Sequence, residues 1–126
     1  MNGLTHLHGT VSLTLHPHAD AVASARRFVV SVVGELIDAQ RRGDLEVLVS
    51  EVVSNGVMHA GTTMELLLSA HDDLIRVELV DHGVGEPQVS RAAGPGGGFG
   101  LRIVAGLSQR WGVEHHERGK TVWFEV

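Results

Sequence analysis

Glu51, Asn55 and His59 recur every fourth residue in "SEVVSNGVMHAG", Ser50 to Gly61. At about 100° per residue they run up one flank of an apolar helical stripe made by Leu45, Leu48, Val49, Val52 and Gly56. A carboxylate and an amide on consecutive turns, at the boundary between core and outside, can act on one ligand in a half-buried cleft. The plain alternative is the polar edge of an amphipathic helix. His59 suits a helix C-terminus, where its charge meets the negative end of the dipole, and a structural role is favoured for it.

A second carboxylate stands out in "LIRVELVD", where Ile75, Val77, Leu79 and Asp81 share one face by period-two alternation. Asp81 is the only polar member of that ladder, and a buried carboxylate without a donor costs several kcal/mol. A backbone N–H of the following turn or an amine on a ligand would satisfy it. Asp81-x-Gly83-x-Gly85 leaves the mouth of such a site clear of side chains. Further on, Gly98-x-Gly100-Leu101 leads into a helix whose free N–H groups can hold an anion, or else forms only a flexible connection.

These residues need elements to carry them. Val11, Leu13 and Leu15 alternate up to Pro17 and predict an edge strand. Apolar residues at helical spacing from Val22 to Ile37 predict a helix from Asp20, its N-cap, to about Gln40, with Gly43 as the stop. Asp44 would then cap a second helix across a tight Gly43-Asp44 turn. "TMELLLSAH" and "LIRVELVD" read as a hairpin turning at Asp72-Asp73, and the stretch from His82 to Gly98 as a loop. A helix around Leu101 to Leu107 and two closing strands, "WGVEHHE" and "TVWFEV" around a Glu117 to Lys120 turn, complete the chain. The expected fold is α/β (α+β), a two-layer sandwich with helices on one face of a mixed, mostly antiparallel sheet.

The 126 residues suit a single domain, 1–126. No cysteine is present, which excludes disulfides and thiolate metal sites. A net charge of −5 argues against nucleic acid as the main partner. No apolar run approaches the roughly 18 residues needed to span a bilayer, so no membrane association and, by default, a cytoplasmic location are expected. His6, His8, His16 and His18 form two His-x-His pairs that could ligate a metal, although surface histidines are the favoured account. Of the sixteen glycines, eight cluster from Gly83 to Gly106, as expected where backbone approaches a ligand.

Taken in order, Glu51-x-x-x-Asn55, Asp81-x-Gly83-x-Gly85 and Gly98-x-Gly100-Leu101 resemble the N box and two glycine boxes of the GHKL ATPase/kinase superfamily, with its Bergerat, histidine-kinase-like ATPase fold. The short chain and the closing "RWGVEHHERGKTVWFEV" resemble the small actinobacterial anti-sigma factor serine/threonine kinases, over about residues 17 to 126. The resemblance implies ATP and Mg²⁺ as cofactors, with Asn55 as metal ligand and Glu51 as the catalytic base that prepares a protein hydroxyl. It implies that Asp81 accepts the adenine amino group, that Gly83 and Gly85 border the base, and that Gly98, Gly100 and Leu101 at the helix start hold the phosphates. It also implies an anti-sigma factor antagonist as protein substrate and a sigma factor as partner, in a family whose members often form homodimers. On this reading Asp81→Asn weakens ATP binding without unfolding the domain.

Two positions depart from the pattern. Relatives often carry Gly-Thr before the last strand with the threonine near adenine, whereas here Lys120 takes the inward register of Val122, Phe124 and Val126 and Thr121 points outward. Met58 stands where relatives often have a basic residue. Both favour the alternative reading, a nucleotide-binding partner-switch module with little or no kinase activity.

Overall fold

The computed structural model describes Leu4, residues 7–83 and residues 99–126. Five strands form one sheet in the order β1-β2-β3-β5-β4: β1 (Val11–Leu15), β2 (Met64–His71), β3 (Leu74–Asp81), β4 (Arg110–His116) and β5 (Gly119–Glu125). Every neighbouring pair is antiparallel. Three helices pack on it: α1 (Ala21–Val33), α2 (Ala39–His59) and α3 (Phe99–Leu107). The two-layer sandwich and the edge position of β1 are as expected from the alternation of Val11, Leu13 and Leu15, which pair with Leu68, Leu66 and Met64.

The core lies where the two amphipathic patterns meet. Ala21, Ala25, Val29 and Val33, each one turn after the last, bury one stripe of α1, and Leu45, Leu48, Val49, Val52 and Val53 bury that of α2. Met64, Leu66, Leu68, Ile75, Val77, Leu79, Val122 and Phe124 cover them from the sheet. The β2–β3 hairpin turns through Asp72-Asp73, with Asp72 at φ 57°, a conformation that aspartate tolerates better than most residues.

The helical boundaries differ from the expected ones. The first helix ends at Val33, and the second begins at Ala39 and runs straight through Gly43 and Asp44. Asp38, not Asp44, is the N-cap: its carboxylate accepts from the Arg41 N–H at 2.8 Å. Arg41 donates further to the carbonyls of Asp73 and Val126, and Arg42 to that of Gly34, so the start of α2 is tied to three other parts of the chain. Nothing lies within 4 Å of where a Gly43 side chain would begin, and one such glycine on an open helical face costs only about 1 kcal/mol. Asp20 sits at the N-cap position of α1 as expected, but its side chain makes no capping bond.

The face of β5 opposite Val122 and Phe124 carries an ionic cluster. Arg76 lies 4.2 Å over the Trp123 ring and 3.0 Å from Glu125 Oε2, while Arg110 pairs with the other Glu125 oxygen. Burial by itself raises the Glu125 carboxyl, but hydrogen bonds and charge from Arg76 and Arg110 outweigh it and hold the group below the ordinary glutamate value. A depressed folded pKa contributes stability above the unfolded value and loses it as pH falls through the folded value. Urea midpoints are therefore expected to fall as pH drops below the ordinary value of 4.5, and Glu125→Gln to flatten that part of the profile. An unchanged acid limb in the variant would remove Glu125 from the account.

Candidate functional site

Glycines set the distance between α2 and the end of β3. A side chain on Gly56 would meet Met64 Sδ at 2.7 Å and a Leu79 methyl at 2.8 Å, so the helix rests directly on the sheet there. One turn later, a side chain on Gly83 would meet the Ala60 carbonyl oxygen at 2.6 Å, which brings the turn after β3 against the end of α2. These two approaches place the helical edge of Asn55 and His59 beside the strand end that carries Asp81. Glu51, Asn55 and His59 are all half-buried, on the flank of α2 next to its buried stripe. Among the described residues no hydrogen bond engages the side chains of Glu51 or Asn55, which leaves an amide and a carboxylate able to meet a ligand.

Asp81 ends β3 on the core side, as its alternation with Ile75, Val77 and Leu79 requires, and only 3% of it is exposed. Its Oδ1 accepts the Gly83 N–H at 3.0 Å. The backbone of its own turn is therefore one of its donors. Across the sheet it is ion-paired with Lys120, directly opposite in the β3–β5 register, whose Nζ lies 3.0 Å from Oδ2. Lys120 itself is 4% exposed. Its inward register was legible from Val122 and Phe124, but its pairing with Asp81 was not, because strand order is needed to see that β5 lies beside β3. Thr121 faces the other side, where its hydroxyl lies 2.8 Å from His116 Nε2.

Gly119 closes the β4–β5 turn at φ 128°, and a side chain there would run into the Asp81 carbonyl. A glycine is required at this point, and its absence of a side chain lets β5 bring Lys120 up to Asp81. Leu101 is fully buried in α3, which packs on α2, and Gly100 lies in the first turn of α3. Gly85 and Gly98 lie outside the described residues, as does His6. Among the described residues no group of three or more histidine, aspartate and glutamate side chains could hold a metal ion, and no helix is long and apolar enough to cross a membrane.

The profile of the histidine kinase-like ATPase domain matches residues 15–126. Among solved structures, the chain is similar to the crystal structure of the RsbU and RsbW domains of Rv1364c from Mycobacterium tuberculosis, with a TM-score of 0.71 and 18% identity. That match covers 94% of this chain and 32% of the other, so the chain spans about a third of the length of that solved chain. At this identity the likeness is one of fold. No curated protein matches the sequence.

Proposed function

The chain belongs to the histidine kinase-like ATPase family, and from that premise we propose that it is an ATP-dependent protein serine/threonine kinase of the anti-sigma factor type. The observation that carries this reading is the placement of Glu51 and Asn55 on consecutive turns of α2, whose last turn Gly56 and Gly83 hold against the Asp81 end of β3. On this reading the base-reading and phosphate-side groups share one site.

The residues fit ATP and Mg²⁺. Asn55 offers a half-buried amide oxygen, a hard ligand suited to Mg²⁺, and Asp81 with Lys120 offers polar groups where β3 and β5 meet. On this reading Gly83 and Gly85 would border the base, and Gly98, Gly100 and Leu101 would hold the phosphates. Glu51 takes the proton from a serine or threonine hydroxyl as its oxygen bonds to the γ-phosphorus and the bond to the ADP oxygen breaks. The products are ADP and a phosphorylated protein. On this reading the substrate is an anti-sigma factor antagonist, a sigma factor is the second partner, and the protein acts in the cytoplasm, as a homodimer in keeping with its relatives.

Incubation with radiolabelled ATP, Mg²⁺ and a candidate antagonist should place label on serine or threonine. Asn55→Ala should lower Mg²⁺-dependent ATP affinity by about tenfold or more, the loss of one metal-ligand contact. Equal Mg-ATP affinity in that variant would refute the metal assignment. A second reading is favoured by one contact: Lys120 already engages the carboxylate assigned to adenine. A nucleotide-binding partner-switch module would bind ATP in the same assay and transfer no phosphate to any antagonist.

A further inference from the structure

The flank of α2 that carries Glu51 begins two turns earlier. Gly43, Val47 and Glu51 recur every fourth residue and, with Glu46, Ser50 and Arg26 of α1, line a hollow of about 420 Å³ between the two helices. Nothing lies within 4 Å of where a Gly43 side chain would begin, and Val47 is 42% exposed, so the floor is open and one wall is apolar. Arg26 and Glu46 also line a second hollow of about 280 Å³, completed by Ala23, Arg27 and Val30. The two join into a trough along the seam of α1 and α2 that ends at Glu51.

Charge sets this trough apart in a chain of net charge −5. Arg26 is exposed and has no hydrogen bond or ion pair among the described residues, and exposed Arg27 donates there only to Ser24 Oγ, at 3.4 Å. The second hollow holds these two guanidiniums against one carboxylate, that of Glu46, which pairs with neither. A guanidinium fork is shaped to receive a carboxylate. An acidic group is the complement that the second hollow lacks.

We propose that this trough docks the protein substrate as an extended acidic segment. Its serine or threonine hydroxyl reaches Glu51, and an aspartate or glutamate two or three residues away lies between Arg26 and Arg27. The spacing follows from the helix: from Glu46 to Glu51 α2 rises about 7.5 Å, and an extended chain covers about 3.3 to 3.6 Å per residue. The inference rests on the kinase reading of Glu51 and adds how the protein substrate is recognised.

The probes are three fluorescein-labelled peptides with one serine in an alanine and glycine background, the positions two and three residues to either side of it filled with Asp, Ala or Lys. Anisotropy titrations of the full chain at low ionic strength are expected to give the Asp peptide about five- to tenfold tighter binding than the Ala peptide, and the Lys peptide the weakest. In the double variant Arg26→Ala with Arg27→Ala that ranking collapses, while Mg-ATP affinity and the thermal melt stay as in the wild type. Gly43→Leu fills the trough where there is room for a side chain and favours the helix, so it melts at or above the wild type yet weakens the Asp peptide by about tenfold. Equal binding of the three peptides, or binding of none, would overturn the docking surface and leave the kinase reading to the labelled-ATP assay. A ranking that survives the arginine variant, or an Asp peptide that binds Gly43→Leu as it binds the wild type, would overturn it too. Weaker Mg-ATP binding in the arginine variant would do the same, since the arginines would then serve the phosphates. The expected ranking with no phosphate transfer to any peptide or protein hydroxyl would remove the kinase reading and the inference with it.

Discussion

Glu51→Ala is expected to slow phosphate transfer by about 10² to 10⁴ while ATP binds nearly as tightly as before. Glu51 shares a flank of α2 with Asn55 but stands one turn nearer the helix start, farther from the Gly56 and Gly83 contacts that hold the helix to the end of β3. In the proposed site it meets the attacking hydroxyl and makes no contact with the nucleotide. Loss of a base lowers the rate of the chemical step, whereas loss of a binding group raises the dissociation constant. Single-turnover transfer and direct ATP titration on one preparation separate the two. Glu51 is half-buried with no hydrogen bond among the described residues, so the variant should melt close to the wild type. Transfer at the wild-type rate would exclude Glu51 as the base.

The second large effect is on stability. Read from the sequence, Asp81→Asn weakens nucleotide binding and leaves the fold intact, but the structure adds a cost. The substitution removes the counter-charge of Lys120, a cation 4% exposed, and breaking a buried pair from one side typically costs about 3 to 5 kcal/mol. A marginally stable domain holds only about 5 to 15 kcal/mol in total, so a large drop in the urea midpoint is expected. The double variant Asp81→Asn with Lys120→Met strands no charge and should recover much of the loss. Chemical denaturation of the wild type, both single variants and the double variant closes the cycle. Additive losses would mean that the two groups do not stabilise each other, and ATP affinity is to be compared only between variants that fold.

Local periodicity was enough for much of this protein. The alternation of Ile75, Val77, Leu79 and Asp81 identified β3, its buried face and the lone carboxylate on it, because a strand's side chains alternate whatever it pairs with. Glu51 and Asn55 were legible as a flank of α2 for the same reason, since helical spacing is a local property. The break between α1 and α2 was not legible. Gly43-Asp44 has the composition of a stop and a cap, and it lost to Asp38 because Arg41 and Arg42 reach carbonyls of Asp73, Val126 and Gly34. The pairing of Asp81 with Lys120 likewise depends on β5 entering the sheet beside β3 and not beside β4 alone. Strand order is set by which arrangement buries the most apolar surface without leaving backbone groups unpaired, a property of the whole chain. Residue types and their faces followed from the sequence, whereas the charge that sits against the Asp81 carboxylate was decided by the fold.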